Sequence, residues 1–329
     1  MTRTFARLCI AVLLGAPLLL GSAPVASADG DGSTTGPDTP AGASRATEAR
    51  VAHRVVWDQF RAGRSGIHLR SARPDGTDVR NVYDAPAGFT TELTLSRDGR
   101  RVAFATCCRD SFPPLVVVPA RGGRVVTPLA HHPRIYIVGG IGWSPDGTRI
   151  AFEGTVAAGR QTVTSLWTIR PDGTDLRRIV TLTGGGSFIN RALAWTRAGI
   201  LYSDGNDLRS ARAGRTHLVL RHVDSVRISG DGRRIITRRL VHGILSYWVG
   251  RPDGTSQRRI LDLDYSGQGT WFSEVTPSYD SSSVLAFRET RAGDGEPDID
   301  QVVTWPLHDD PSSARTLGFL GGNSTVTWN

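Results

Sequence analysis

The chain has 329 residues, 39 of them basic and 31 acidic, and its formal net charge is +8. All 39 basic residues are arginines, and this absence of lysine points to coding bias in a GC-rich genome. Arginine content is therefore weak grounds for nucleic-acid binding, which we do not expect. A phosphate-binding loop of the GxxxxGK type is excluded, because its lysine is missing.

Residues 1–28 have the layout of a secretory signal peptide. Arg3 and Arg7 precede an apolar run over residues 8–21, and an Ala-Ser-Ala sequence ends at Ala28. The run is too short to span a bilayer, and the pattern is typical of a cleaved export signal. We expect cleavage near Ala28 and a secreted or extracytoplasmic protein of net charge +6, with no transmembrane segment in the mature chain. An uncleaved anchor is the alternative.

Residues 29–50 are rich in Gly, Pro, Ser and Thr and show no apolar periodicity. This composition predicts a flexible, disordered tether. The folded domain is therefore expected to span residues 51–329.

The rest of the chain is a series of imperfect copies of one unit, clearest at residues 141–154 and 165–180. A short apolar strand ends in Ser or Thr, a turn such as Pro-Asp-Gly-Thr follows, and three further strands complete the unit. Alternating β-branched and aromatic residues predict strands, and the Asp-Gly turns predict tight hairpins. Six such units, each about 38 to 52 residues long, match the repeat length of β-propellers.

The two ends of the domain complement each other. The first unit begins at a second strand near Val55, whereas the last residues, 324–329, form a first strand with nothing after it. Pairing these segments completes one module and leaves no exposed sheet edge. The sequence therefore predicts an all-β, six-bladed propeller of four-stranded antiparallel blades, closed by the C-terminal strand in the first blade.

The segments SPDGTRIAF (residues 144–152) and LWTIRPDGTDLRRI (residues 166–179) resemble the repeat of TolB-type propellers. The resemblance covers residues 51–329 and is strongest in the third module. It implies a six-bladed propeller in the cell envelope or outside the cell. The motif builds blades and carries no partner site. The short tether cannot be the N-terminal α/β domain of TolB itself, so a Tol-system role does not follow.

No local motif points to catalysis. The segment at residues 184–189 lacks the second glycine of a GxSxG elbow, and zinc-ligand spacing is absent. We therefore favour a non-enzymatic protein that binds or scaffolds a protein, peptide or glycan. A hydrolase or lyase that uses the channel mouth is the alternative, and a close acid and base pair there would favour it.

Two surfaces follow from the ring geometry. The fourth-to-first links and second-to-third loops emerge around the channel mouth, which we call the mouth face. The first-to-second and third-to-fourth turns emerge on the opposite side, which we call the turn face.

Aromatic and polar residues alternate near the mouth face, which is typical of a ligand pocket. Packing of the same aromatic rings between blades is the alternative. The candidate ligand-binding residues are Phe89, Glu92, Arg134, Tyr136, Asn190, Arg191, Asp224, Trp271, Phe272 and Glu274.

The turn face is expected to be basic. Its first-to-second turns carry a charge of about +4 and its third-to-fourth turns about +6, which leaves the rest of the mature chain negative. This charge asymmetry suggests contact with an anionic envelope polymer or a lipid surface.

Two smaller features remain. The acidic residues Asp294, Glu296, Asp298 and Asp300 stand at alternate positions along one loop. This pattern suits a calcium site, but it is also typical of a solvated loop. We therefore expect no cofactor, and bound calcium is the alternative. Cys107 and Cys108 are neighbours, and either a strained vicinal disulfide or two free thiols is possible. Neither arrangement supplies a disulfide framework, so the core must hold the fold.

Overall fold

The computed structural model describes residues 53–58, 66–85, 88–107, 115–158, 161–182, 193–263, 269–291, 299–320 and 326–328. All of them lie within one compact unit, Ala49–Asn329. The predicted signal peptide and tether fall outside the described residues. No helix within these ranges is long and apolar enough to cross a bilayer.

The described chain is all-β, with one short 3-10 helix at Pro311–Ser313, and forms six antiparallel sheets arranged as propeller blades. The strands of blades 1 to 3 are β1 (Val55–Asp58), β2 (Ile67–Ala72), β3 (Arg80–Ala85), β4 (Phe89–Leu95), β5 (Arg101–Cys107), β6 (Leu115–Pro119), β7 (Ile135–Trp143), β8 (Ile150–Ala158), β9 (Gln161–Ile169) and β10 (Arg177–Thr181). Those of blades 4 to 6 are β11 (Leu193–Trp195), β12 (Ile200–Asp204), β13 (Asp207–Arg212), β14 (Arg215–Arg221), β15 (Val223–Ile228), β16 (Ile235–Val241), β17 (Ile244–Gly250), β18 (Arg258–Asp262), β19 (Gly269–Pro277), β20 (Ser283–Arg291), β21 (Ile299–Pro306) and β22 (Arg315–Leu320). The last strand, β23 (Val326–Trp328), belongs to the sheet of blade 1.

Five blades have four strands, as the repeats predict, and blade 2 differs. Its sheet is β4-β5-β6, and its fourth strand is reduced to a single antiparallel bridge between Val117 and Val126. The residues before Val126 are Arg121 to Val125 and include two glycines with positive φ. That backbone leaves the sheet soon after β6, so a full outer strand does not form.

The strand β23 pairs antiparallel with β1, in the register Val55↔Trp328, Val56↔Thr327 and Trp57↔Val326. Around the axis, each inner strand contacts the next in the cyclic order β23, β4, β7, β11, β15, β19 and back to β23. Blades 2 and 5 therefore face each other across the channel, and a side chain that links them crosses the axis.

The core lies between neighbouring blades. The second strands are the most buried: Val102, Ala103, Phe104 and Ala105 of β5 are all 0% exposed. Alternate residues of this strand belong to two different apolar clusters, one toward blade 1 and one toward blade 3. Because each blade is covered on both sides, its central strands are apolar on both faces instead of alternating.

A repeated turn connects the first and second strands of four blades. The hydroxyl of Ser144 donates to Asp146 (2.6 Å) and accepts from the backbone amide of Arg149 (2.9 Å). Equivalent serines make the same two contacts at Ser96, Ser229 and Ser278. The Ser-x-Asp sequence that the four turns share thus satisfies its own polar groups and fixes each turn in place.

Candidate functional site

Each inner strand places one residue in the lining of the central channel at an equivalent position. This residue lies two positions before the Ser or Thr that begins the turn, or two positions before Asn329 in β23. Five of these residues are small and one is an arginine. They are Thr94, Gly142, Ala194, Arg227, Thr276 and Thr327. The space that they enclose is about 50 Å³, enough for a few water molecules but smaller than a sugar ring.

Arg227 closes this channel by crossing the axis. Its Nη2 lies 3.0 Å from Glu274 Oε2 on β19 and 3.8 Å from Glu92 Oε2 on β4. Glu274 stands at a β-bulge and has a left-handed backbone (φ 51°). Its side chain therefore does not follow the regular alternation of side chains between the two faces of the strand. One cation thus links blades 5, 6 and 2.

Burial and the neighbouring charges shift the pKa values of Glu92 and Arg227. Burial raises the pKa of Glu92 to about 7; Arg227 opposes the rise, and Glu274 adds to it. Burial alone would lower the pKa of Arg227, but the charges of Glu274 and Glu92 outweigh it and raise that pKa. Near neutral pH, Glu92 therefore exchanges a proton while Arg227 stays charged.

The predicted ligand-binding residues take several different positions. Glu92 and Glu274 come together through Arg227. Asp224 instead pairs with Arg238 at 2.9 Å, and Phe272 packs against Trp305 with ring centroids 5.4 Å apart. Trp305 belongs to the same blade, and Phe272 also packs against an apolar cluster with members from blades 5 and 6.

The remaining predicted mouth residues are only partly described. Arg134 is exposed immediately before β7. Asn190 and Arg191 lie outside the described residues, as do the side chains of Phe89, Tyr136 and Trp271.

A wide depression of about 650 Å³ opens around the other end of the channel, on the turn face. We call it the basin. The first-to-second turns of blades 2 to 5, with parts of blades 5 and 6, line it, and its charged residues are Arg97, Arg197, Arg233, Asp98, Asp146 and Asp231.

The aspartates of the basin are occupied within their turns. Asp146 accepts from Ser144, from the Thr148 amide at 3.0 Å and from the Thr148 hydroxyl at 2.9 Å. The hydrogen bond from Ser144 is the main reason why the pKa of Asp146 is lowered. Arg233, by contrast, is 83% exposed, and its Nε lies as far as 4.0 Å from Asp231 Oδ2, so its guanidinium group faces solvent.

Arg97 occupies the centre of the basin. It follows β4 in blade 2, yet its guanidinium lies beside Gly232 of blade 5, so it crosses below the axis. A Cβ at Gly232 would meet Arg97 Nη2 at 2.5 Å, and Gly232 has a φ of 72°. Burial lowers the pKa of Arg97, and the nearby charge of Arg197 lowers it further. A side chain at Gly232 would have to displace the end of this flexible arginine, and the positive φ would add backbone strain.

A second depression, of about 510 Å³, lies next to the basin between blades 2 and 3. We call it the side cleft. Its lining includes Arg101, Arg149 and Arg170 against one acid, Asp172. Arg101 lies over the Trp143 ring (4.8 Å) and donates to the Gly147 carbonyl at 2.7 Å. Arg149 is bound to Asp175, whereas Arg170 is 57% exposed.

The calcium and disulfide hypotheses fall mostly outside the described residues. Asp294, Glu296, Asp298 and Cys108 are not described, and neither are the side chains of Asp300 and Cys107. Within the described ranges, no group of three or more His, Cys, Asp or Glu residues is placed to hold a metal ion.

Sequence reasoning missed Arg227, although a signal for it exists. When the modules are aligned on the Ser or Thr before the turn, or on Asn329 in the last strand, five have Thr, Gly or Ala at the channel position and one has Arg227. A large cationic side chain at a position where the other modules have small side chains predicts that it fills the space at the axis of the ring.

Taken together, the cyclic order of inner strands and the closed channel define a six-bladed β-propeller. No known family model matches the chain, and no curated protein matches it in sequence. Solved structures resemble it in fold. The structure of TolB from Acinetobacter baumannii superposes with a TM-score of 0.61 at 12% identity, covering 84% of this chain and 67% of that one. The protein is thus a TolB-like propeller in its fold.

Two other propellers are more distant. Periplasmic gluconolactonase from Pseudomonas aeruginosa has a TM-score of 0.47 at 13% identity, covering 84% of this chain and 98% of that one. Oligogalacturonate lyase from Vibrio parahaemolyticus has a TM-score of 0.46 at 8% identity, covering 80% and 78%. At these scores neither says anything about the activity of this chain.

Proposed function

We propose that the protein is an exported, non-catalytic binding and scaffolding module that holds an anionic component of the cell envelope on its turn face. The observation that carries this proposal is the basin, where Arg97, Arg197 and Arg233 surround the end of the channel. The export signal predicted at residues 1–28 supports an extracytoplasmic location, where anionic polymers and lipid surfaces are exposed.

The electrostatics favour an anion over a cation at this face. The aspartates of the turns already accept hydrogen bonds from Ser, Thr and backbone amides, whereas Arg197 and Arg233 are exposed. The basin has three arginines and three aspartates, so an approaching anion is attracted by the exposed guanidinium groups of Arg197 and Arg233 and not by an excess of positive charge. Attraction between such exposed charges is long-range, and salt screens it.

Reversing the charge of the basin rim tests this proposal. We expect the mature double variant Arg197→Glu, Arg233→Glu to bind phosphatidylglycerol vesicles and immobilised polyphosphate at least about tenfold more weakly, since each surface arginine contributes about 1 kcal/mol. Binding is measured by co-sedimentation at about 50 and 200 mM salt, and wild-type binding should fall as salt rises.

The matched control reverses two arginines elsewhere. Arg134 and Arg221 are both exposed and stand at mouth-face ends of their strands. The variant Arg134→Glu, Arg221→Glu has the same net charge as the basin variant and should bind like wild type. Equal loss in both variants, or binding that ignores salt, would mean that the basin is not the binding surface.

The mouth face is proposed to bind a peptide or glycan segment. Arg227 links Glu92 and Glu274 within the channel, and Trp271 precedes Glu274 by three positions on β19. An aromatic anchor at such a surface commonly contributes about 2 kcal/mol or more. Trp271→Ala should therefore lower the affinity of any ligand selected from a displayed peptide library or an envelope glycan array by about tenfold or more. Unchanged affinity in both Trp271→Ala and Glu274→Ala would rule this face out.

A hydrolase or lyase is the second candidate. The observation in its favour is that Arg227 holds Glu92, whose pKa burial raises to about 7, close to a second carboxylate, that of Glu274, since paired carboxylates can act as acid and base. The small space at that depth argues against it, because a sugar ring does not fit beside Arg227. Cleavage of an envelope polymer by the mature protein, lost in Glu274→Gln, would favour catalysis.

A further inference from the structure

A depression of about 610 Å³ lies between blades 5 and 6. We call it the interblade cleft. Its lining includes Ile260, Leu261 and Asp262 of blade 5 and, on the other side, Phe272, Arg288 and Gln301 of blade 6. The volume falls in the range of roughly 300 to 1,000 Å³ that small-ligand sites occupy. A ligand that is too large for the 50 Å³ channel therefore fits here.

The wall in blade 6 is built by strand register. Phe272 pairs with Arg288 across β19 and β20, and Arg288 pairs with Gln301 across β20 and β21. Residues that are directly paired place their side chains on the same face of a sheet, so these three side chains form a row across the blade. The row lies near the mouth-face ends of its strands, and it shares the cleft with β18 of blade 5.

Hydrogen bonds within the row fix the direction of its polar groups. Arg288 donates to the amide oxygen of Gln301 through Nε (2.9 Å) and through Nη2. Because the oxygen accepts these bonds, the amide nitrogen of Gln301 is left as a donor on the other side of the group. Among the described residues, neither Gln301 Nε2 nor Arg288 Nη1 makes a hydrogen bond, and neither atom is buried without a partner. Both donors are thus open to solvent.

The facing wall supplies an acceptor and apolar surface. Asp262 is 48% exposed and its Oδ2 lies 3.4 Å from Arg259 Nη1, so part of the carboxylate remains accessible. Ile260 and Leu261 are partly buried beside it. Phe272 is also only partly buried, so the cleft combines one aromatic ring and two aliphatic side chains with two donors and one acceptor.

The charges of the cleft favour an uncharged ligand. Its lining has one arginine, Arg288, and two aspartates, Asp262 and Asp310. Asp310 already accepts from the Ser312 amide (2.8 Å) as the cap of the short 3-10 helix, and Arg259 stands beside Asp262. Neither sign of charge is therefore in clear excess.

The form of the polar wall favours a sugar over a peptide. A peptide that docks on a sheet commonly pairs its backbone with an exposed strand edge. Arg288 and Gln301 stand on β20 and β21, which are paired on both sides, so this wall offers side-chain groups only. A hydroxyl group both donates and accepts, so neighbouring hydroxyls of one sugar ring can serve the donors and the acceptor of the cleft.

We infer that the interblade cleft binds an uncharged sugar residue of an envelope glycan, which packs on Phe272 and forms hydrogen bonds with Arg288, Gln301 and Asp262. This inference rests on the proposed binding of a peptide or glycan at the mouth face, and it narrows the ligand to a glycan and the place to blades 5 and 6. Arg288 has two roles, because it donates to the sugar and also orients the amide of Gln301.

Ligand-observed NMR titrations of the mature protein with the methyl glycosides of glucose, galactose, mannose and N-acetylglucosamine test this site. We expect saturation transfer to at least one of the four. For that glycoside, Arg288→Met should weaken binding about tenfold or more, because a charged donor is lost, and Gln301→Leu about three- to tenfold. Phe272→Leu keeps an apolar side chain but removes the flat ring, and it should weaken binding about fivefold.

Arg239→Met is the matched control. Arg239 stands at the equivalent position in blade 5, since it and Arg288 each lie five residues after the residue whose carbonyl accepts from the amide of the turn serine. Its guanidinium lies over the Trp248 ring (5.0 Å) and is not part of the cleft lining. Arg239→Met makes the same change of charge as Arg288→Met and should bind the glycoside like wild type. Urea midpoints establish that each variant is folded.

The outcomes separate this inference from the proposed function. If none of the four glycosides binds, or if Arg288→Met and Gln301→Leu bind like wild type, the cleft is not a sugar site. Peptides from the displayed library that still bind, and that lose affinity in Trp271→Ala, would then leave the mouth face standing as a peptide site. If neither glycosides nor peptides bind, the proposed mouth-face function fails as well. Glucose 6-phosphate that binds about tenfold more tightly than methyl glucoside would make the cleft an anion site and overturn the inference.

Discussion

Deleting residues 324–329 is expected to remove most of the stability of the propeller. The strand β23 covers the inner edge of β1, where Val55 is 1% and Val56 0% exposed. Without it, blade 1 loses a strand, and the apolar cluster of Val55 with Leu285 and Phe287 opens to water. We expect a loss on the order of 5 kcal/mol, which is comparable to the whole stability of many domains. Urea unfolding followed by tryptophan fluorescence measures it.

The control for this deletion is removal of Asn329 alone, which leaves Val326–Trp328 in place. That variant should unfold like wild type. The longer deletion should also aggregate, because an uncovered strand edge pairs with other chains. A truncated protein that stays monomeric with an unchanged urea midpoint would contradict the pairing of the two ends.

Replacing the axial arginine is expected to have the second largest effect. Arg227→Met leaves Glu92 and Glu274 facing each other in a narrow channel without their shared cation. Removing one partner of a fully buried ion pair costs about 3–5 kcal/mol, and partial solvent access here reduces that to about 1–3 kcal/mol. The loss should be larger near pH 8 than near pH 5, because Glu92 binds a proton at the lower pH.

The pH dependence has a definite sign. The pKa of Glu92 is raised in the folded state, from 4.5 to about 7, so the folded protein holds this proton more tightly than the unfolded chain. Its contribution is complete below about pH 4.5 and is lost as the pH rises through about 7. Glu92→Gln should therefore be more stable than wild type near pH 8, by on the order of 2 kcal/mol, and similar to it near pH 5.

The two variants check each other in urea titrations at both pH values. In Glu92→Gln the stability change between pH 5 and pH 8 should shrink, and in Arg227→Met it should grow. A wild-type stability that rises steadily over this interval, together with no difference in Glu92→Gln, would show that Glu92 is ionised throughout.

The fold was predictable because each module repeats its own local rules. The Ser-x-Asp turn satisfies its polar groups within six residues, as at Ser144, so the same short sequence forms the same turn in four blades. The six-bladed arrangement followed from counting the repeat units along the chain. The reduced outer strand of blade 2 was less visible, because Val125 and Val126 are β-branched but follow two glycines that turn the backbone away.

The candidate site was only partly predictable, because its contacts join residues from opposite blades. Arg97 and Gly232 are 135 positions apart in the sequence, and only the ring brings them together. Local charge counts predict a basic turn face, which stays a prediction. The position of Arg227 across the axis depends on which side chains point inward, and hence on the register of all six inner strands.

Hydrogen exchange of the mature protein with and without long-chain polyphosphate tests the binding surface most directly. If the turn face holds the polymer, exchange should slow at the turns over residues 96–101, 144–149, 196–199 and 229–234, and remain unchanged at residues 134–137 and 269–274. Slower exchange only at the latter segments, or no change anywhere while the polymer is bound, would contradict a binding site in the basin.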